Sequence, residues 1–311
     1  MLGNFSPVSV EVFPTGSLCL DVALGVGGLP RGQIAEIYGP ESSGKTTLAL
    51  HLIAEAQRRG FTALFVDMEH SLDAAYAKKC GVDIDSVLLS EPQKGVEALQ
   101  IIKRALVSGN IDLVVLDSIA ALVPSEEAER QTMHPASGGI SQLLPTALRE
   151  LSLACMRNNA SLVCTNQLRR RLKTGYGLPE TTPGGLSVKL HSAARISLKT
   201  KKLLRHEGKI IGSQIEARIT KNTVAPSFHS AIFNIVYNMG ISKGNDLLRL
   251  GQIEKIITQR GSQYWYGEQN LGQGRRQAEK FLNGNSVAAQ KLEQVLRSKL
   301  LPKPPMSMRD L

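Results

Sequence analysis

Gly39-Pro40-Glu41-Ser42-Ser43-Gly44-Lys45-Thr46 fits the pattern G-x-x-x-x-G-K-[ST], and the sequence on either side places it between a strand and a helix. Upstream, Gln33-Ile34-Ala35-Glu36-Ile37-Tyr38 alternates polar and apolar residues; downstream, Leu48, Leu52, Ile53 and Ala56 recur with helical spacing. Strand, glycine-rich loop and helix in that order predict a nucleoside-triphosphate cradle. Its backbone N–H groups would face the phosphates, Lys45 would supply a cation, and the Thr46 hydroxyl would reach Mg²⁺. The phosphates would lie at a helix N-terminus, where unpaired N–H groups and the helix dipole favour an anion.

Three more apolar runs end in polar residues: Phe61-Thr62-Ala63-Leu64-Phe65-Val66-Asp67, Ile111-Asp112-Leu113-Val114-Val115-Leu116-Asp117 and Ser161-Leu162-Val163-Cys164-Thr165-Asn166. Amphipathic helical stretches near 71–79, 94–108 and 142–157 separate them. The expected fold is therefore α/β, a mostly parallel central sheet flanked by helices. Ligands of such sheets bind at the carboxyl ends of the strands, where these polar residues would converge. Strand-like runs at 194–198, 215–220 and 231–236 have short links and are expected to extend the sheet in antiparallel fashion. Beyond Gly240 the texture changes to short helical pieces, a Tyr264-Trp265-Tyr266 patch, a Gly272-Gln273-Gly274 turn and a helix near 287–300, predicting a small α+β domain. The division expected is an extension 1–13, an ATPase core 14–240 and a basic domain 241–311.

The chain has 311 residues and a net charge of +10, unevenly placed. Residues 1–159 hold 12 Lys and Arg against 18 Asp and Glu, residues 160–221 hold 13 against 3, and residues 241–311 hold 12 against 6. An acidic nucleotide-binding half followed by two basic segments points to a polyanionic partner. The four cysteines, Cys19, Cys80, Cys155 and Cys164, show no C-x-x-C spacing and are expected to be reduced and buried. No apolar run reaches the roughly 18 residues that span a bilayer, and the N-terminus lacks a signal-peptide pattern, so a cytoplasmic location is expected.

Asp117 fits either the acidic residue that orients Mg²⁺ and its waters or a cap for the next helix; the P-loop beside it favours the metal. Glu69, two residues past a strand end, is placed to orient and deprotonate an attacking water. Asn166 and Gln167 end a core strand at the same edge and could sense the γ-phosphate. They run straight into Leu168-Arg169-Arg170-Arg171-Leu172-Lys173-Thr174-Gly175-Tyr176-Gly177, then Pro183-Gly184-Gly185. That segment suits a loop gripping phosphodiester backbone with Arg and Lys while Leu172 or Tyr176 meets the bases.

Together these residues resemble the RecA recombinases of bacteria. The likeness is carried by Thr15-Gly16-Ser17 through Leu20-Asp21, Gly27-Gly28-Leu29-Pro30, the phosphate loop with Thr47, and Val66-Asp67-Met68-Glu69-His70. It continues through Leu116-Asp117-Ser118, Asn166-Gln167-Leu168-Arg169, Pro179-Glu180-Thr181-Thr182, Gly184-Gly185 and Lys221-Asn222. The resemblance implies a DNA-dependent ATPase using ATP and Mg²⁺, forming helical filaments on single-stranded DNA, and promoting pairing and strand exchange. It implies that Glu69 is the catalytic carboxylate, that Gln167 is the γ-phosphate switch, and that Tyr76 stacks on adenine with Asp73 near its amino group. Arg149, Arg169 and the Gly184-Gly185 turn would contact single-stranded DNA, with Leu172 as a wedge between bases, and the basic C-terminal domain would engage duplex DNA. DNA-binding loops are expected near 126–139 and 168–186.

Several positions depart from the family pattern. About thirteen residues precede the matching part, so the family's N-terminal filament helix is expected to be absent or rebuilt. Lys221 matches the first of two lysines that reach a neighbour's ATP, but the second position is Thr223; an aromatic interface position is Leu190. The first DNA loop carries Arg130, Met133, His134 and Pro135, and the tail carries Lys303 and Arg309 where acidic residues are usual. These departures motivate an alternative, a paralogue that binds ATP and DNA and joins mixed filaments with a full-length recombinase.

Overall fold

A computed structural model of the chain describes residues 10–122, 140–170 and 180–302. The loop at 126–139, Arg171, Leu172, Lys173, Tyr176, Lys303 and Arg309 lie outside the described residues.

A short antiparallel pair, β1 (Val12–Phe13) with β2 (Leu29–Pro30), precedes the main sheet. The sheet's central strand is β3 (Ile34–Gly39), which leads into the phosphate loop. On one side of it stand β4 (Ala63–Asp67), β5 (Leu88–Ser90), β6 (Leu113–Asp117) and β7 (Ser161–Gln167). A small ladder, β8 (Arg169–Arg170) with β9 (Glu180–Thr181), follows β7 directly. On the other side stand β10 (Ser192–His206), β11 (Lys209–Asn222), β12 (Ser230–Val236) and β13 (Gly240–Ile241). The nine-stranded order is β13-β12-β11-β10-β3-β7-β6-β4-β5.

Side chains alternate across this sheet and build a core on each face. Leu113 and Val115 of β6 join Ala35, Ile37 and Val163 against the helix Lys45–Arg58. Val114 and Leu116 join Ile34 and Leu162 against the helices Gly95–Ser108 and Ile140–Asn158. The parallel sheet buried on both faces is the expected one, and all four cysteines are free and buried.

One expectation needs correction. β10 is not an antiparallel addition to the core: it pairs with β3 in parallel, and only from β10 through β13 does the pairing become antiparallel. The polar positions of β10 imitate a solvated face, whereas Arg195 is 8% exposed because a buried carboxylate on β3 receives it. Beyond Gly240 the small α+β domain is as expected, and its aromatic patch lies in a strand. β14 (Ile257–Arg260), β15 (Gln263–Tyr266) and β16 (Gln269–Gln273) form an antiparallel meander among the helices Lys243–Ile253, Gly274–Gly284 and Ser286–Leu300.

The C-terminal helices share an apolar core with the phosphate-loop helix, through Leu247, Leu248, Leu292 and Leu296. Buried polar contacts tie the same seam. His51 Nε2 accepts from the Ile241 N–H at 2.8 Å, and Asp21 accepts from Arg297 at 2.8 Å. Asp246, fully buried, accepts from the Ser17 hydroxyl at 2.5 Å and the Cys19 N–H at 3.3 Å, while its Oδ1 has no partner.

Burial raises the Asp246 carboxyl from its ordinary 3.8 to about 7. The folded protein therefore holds this proton more tightly than the unfolded chain does. The stability so gained is complete below pH 4 and is lost as pH rises through 7. Asp246→Asn keeps the acceptor for Ser17 without the buried charge. It is expected to exceed the parent in stability by on the order of 2–4 kcal/mol at pH 8 and to match it at pH 4. Chemical denaturation at both pH values checks this, and an equal gain at both would show that ionisation is not the cause.

Candidate active site and nucleic-acid face

The phosphate loop takes its shape from packing as well as from local preference. A Cβ on Gly39 would stand 2.3 Å from the Leu198 carbonyl oxygen, and one on Gly44 would stand 2.4 Å from Ile235 Cδ1. Gly44 also has φ +89, the left-handed region that glycine tolerates. The buried Ser43 hydroxyl donates to the Pro40 carbonyl at 2.7 Å and braces the loop from inside, while Pro40, Glu41 and Ser42 face outward. No side chain caps the helix Lys45–Arg58, so its first N–H groups remain available to an anion.

Lys45 Nζ curls over the loop, donating to the carbonyls of Gly39 at 3.3 Å and Pro40 at 2.8 Å. Burial lowers its pKa, opposed by the charges of Asp117, Glu69 and Glu41. The Thr46 hydroxyl donates to Asp117 Oδ2 at 2.6 Å, and Thr165 donates to Asp117 Oδ1. Burial raises the Asp117 carboxyl, and these two hydroxyls hold it back. A hydroxyl and a carboxylate converging beside a cationic phosphate loop form an all-oxygen donor set, which fits Mg²⁺. The capping alternative for Asp117 finds no support, since its carboxylate is spent on Thr46 and Thr165.

Asp67, buried at the end of β4, accepts from the backbone N–H groups of Glu69, Ser71 and Leu72 at 2.9–3.0 Å and so shapes the turn that carries Glu69. Glu69 Oε1 then receives the Ser118 hydroxyl at 2.5 Å and Gln167 Nε2 at 3.4 Å. Four strand ends, β3, β4, β6 and β7, thus bring Lys45, Glu69, Asp117 and Gln167 to one edge. Ser118 joins this cluster through Glu69, and its one local signal is its place immediately after Asp117.

Two residues implied by resemblance have local partners of their own. The Tyr76 hydroxyl lies 2.9 Å from the Thr47 hydroxyl, which brings the ring beside the first turn of the phosphate-loop helix, and burial pushes its phenol to about 12. Asp73 caps the helix Ala74–Lys79, with Oδ1 accepting from the N–H groups of Ala75 and Tyr76 at 2.8 and 3.1 Å. Lys221 donates to the carbonyls of Lys189 and Leu190 at 2.7 and 3.0 Å, at the end of the helix Gly185–His191.

Arg169 lies two residues beyond Gln167, in β8, whose ladder pairs Arg170 with Glu180 in register. The two glycines after Pro183 differ. At Gly184, φ +79, a Cβ would meet Val188 at 2.5 Å and Leu144 at 3.0 Å, whereas at Gly185 a Cβ would meet nothing within 4 Å. Gly184 is needed by the fold, and the backbone at Gly185 is open to a ligand. Leu144 belongs to the helix Ile140–Asn158, which also carries the exposed Arg149.

A glycine-braced loop at the carboxyl edge of a doubly covered parallel sheet, with Lys45, Thr46, Asp117 and Glu69 around it, defines a P-loop nucleotide-binding protein. Comparison with known proteins narrows the class. The RecA N-terminal domain model matches residues 1–242 and the RecA C-terminal domain model matches 245–301. The chain is 44% identical over 299 residues to Protein RecA of Roseiflexus castenholzii, covering 96% of this chain and 85% of that one. It is 45% identical over 296 residues to Protein RecA of Caldanaerobacter subterraneus, covering 95% and 86%. It is 46% identical over 285 residues to Protein RecA of Desulfovibrio desulfuricans, covering 91% and 79%. The chain belongs to the RecA family of recombinases. No observation favours the alternative of an auxiliary paralogue. Among the described residues, no helix is long and apolar enough to cross a membrane.

Proposed function

We propose that the protein binds ATP with Mg²⁺ at this edge, assembles as a helical filament on single-stranded DNA, hydrolyses ATP there, and pairs the bound strand with homologous duplex. The observation that carries the proposal is the junction at Glu69 Oε1. One carboxylate oxygen meets Ser118 and Gln167, and Gln167 stands two residues from Arg169. The same strand end therefore serves both nucleotide and polyanion.

In this reading the loop from Gly39 to Thr47, with Lys45, holds the phosphates, and Tyr76 and Asp73 face the base. Thr46 would hold the cation directly and Asp117 through water; when bound, the cation would neutralise charge on the phosphate oxygens. Glu69 takes a proton from the water that attacks the γ-phosphorus, and ADP and phosphate are the products. Gln167 reports the γ-phosphate to the segment that follows it. Arg149, Arg169, Arg170, Arg171, Leu172, Lys173, Tyr176, Gly184 and Gly185 would grip the single strand, and the basic residues beyond 241 would engage the duplex. Lys221 would serve a neighbouring subunit's ATP after leaving the carbonyls of Lys189 and Leu190. A cytoplasmic, nucleoid-associated location follows from these partners.

Electron microscopy with single-stranded DNA and a non-hydrolysable ATP analogue tests the assembly. Regular helical filaments formed by this protein alone are expected. Monomers or closed rings under those conditions would refute it.

A further inference from the structure

Glu36 is a carboxylate in the middle of the central strand, 0% exposed, and the roles above leave it unused. Strand alternation explains its company. Ile37 faces the phosphate-loop helix, so Glu36 faces the opposite side, together with Asn166 of β7 and Arg195 of β10. Asn166 Nδ2 donates to Glu36 Oε1 at 2.9 Å, and Arg195 Nε donates to Glu36 Oε2. A buried ion pair of this kind is weak evidence for stability, because apolar residues of similar volume do as well or better. Its geometry points elsewhere.

The second N–H of Asn166 donates to the Pro183 carbonyl at 3.0 Å, and Asn166 Oδ1 accepts from the Gln167 N–H at 3.0 Å. One rigid amide thus joins the residue that meets Glu69 to the turn that presents Gly184 and Gly185. With acceptors on one side and a donor on the other, this amide has a single workable orientation, and Glu36 holds it there. On the far side, the Arg195 guanidinium lies 4.6 Å over the Tyr38 ring. The Tyr38 hydroxyl donates to Thr220 Oγ1 at 3.0 Å, next to Lys221.

We propose that Glu36 is a positioning residue: by fixing the Asn166 amide it couples movement of Gln167 at the nucleotide to the Pro183-Gly184-Gly185 turn. The proposal rests on the ATP-binding reading above. A shift of Gln167 toward a γ-phosphate pulls on Asn166 Oδ1, and the Pro183 carbonyl follows because the amide cannot turn independently.

The test is amide hydrogen exchange on the full chain, with and without a non-hydrolysable ATP analogue, in the parent and in Glu36→Gln. Glutamine offers one acceptor oxygen to two donors; the charged Arg195 guanidinium takes it, and the glutamine NH₂ then faces the Asn166 Nδ2, so the Asn166 link breaks. In the parent, the analogue is expected to slow exchange about tenfold at Thr182 and residues 184–186 as well as at the phosphate loop, in line with an ordinary coupling between sites. In Glu36→Gln the phosphate loop keeps its protection and the turn loses its own. Equal protection of the turn in both proteins, or none in the parent despite a protected phosphate loop, overturns the inference alone. An unprotected phosphate loop in the parent overturns the nucleotide reading and the inference with it. Should Glu36→Gln fail to fold, Asn166→Ala cuts the same link without disturbing the ion pair, and its turn is judged by the same criterion.

Discussion

Glu69→Gln is expected to lower ATP turnover by about 10²–10⁴-fold, the usual contribution of a positioned general base, while the affinity for an ATP analogue stays within about twofold of the parent. The asymmetry follows from the contacts. Glu69 Oε1 accepts from Ser118 at 2.5 Å and from Gln167 at 3.4 Å, and a glutamine oxygen can keep both. The amide cannot take a proton from water. The phosphate loop, Thr46 and Asp117 are untouched, so nucleotide capture survives the loss of chemistry. Steady-state phosphate release and equilibrium titration of a fluorescent analogue separate the two effects, and undiminished hydrolysis would remove Glu69 from its assigned role.

Lys45→Ala should damage both steps. The ammonium is half-buried, and its only hydrogen-bond partners among the described residues are the Gly39 and Pro40 carbonyls. It is held there against a burial that lowers its pKa by the charges of Asp117, Glu69 and Glu41. Phosphate oxygens are better acceptors for it than those carbonyls. Losing a charged hydrogen-bond partner costs about 1.5–3 kcal/mol, roughly 10- to 150-fold in dissociation constant, and turnover should fall below detection. The loop's shape depends on Gly39, Ser43 and Gly44, so the variant should fold normally. Calorimetric titration of the nucleotide together with a thermal melt checks this; parental affinity in Lys45→Ala would mean the cation faces something other than phosphate.

The sequence made the ATP edge legible because each element there follows a local rule. Glycines at fixed spacing, a strand ending at Asp117, and Glu69 just after another strand end can all be read without tertiary knowledge. What escaped was non-local. The run Ala194-Arg195-Ile196-Ser197-Leu198 reads locally as an antiparallel addition, whereas its parallel pairing with β3 and the burial of Arg195 against the Glu36 carboxylate are set by a strand distant in sequence. Asp73, which the resemblance places near the adenine amino group, also caps the helix Ala74–Lys79 through Oδ1. The meander β14 to β16 carries four glutamines and Arg260 at exposed positions, and its strands of four or five residues have too little apolar alternation to announce themselves. Lys221, which the resemblance places toward a neighbour's ATP, donates within one subunit to carbonyls at the end of the helix Gly185–His191, a contact no local pattern announces.

In the proposed function one strand end, from Asn166 through Arg169, joins the nucleotide to the polyanion. Steady-state ATP hydrolysis measured against increasing single-stranded DNA tests it most directly. Turnover is expected to rise as DNA is added and to fall back when salt displaces it. Hydrolysis that proceeds at the same rate with and without DNA would mean that the two sites are not joined.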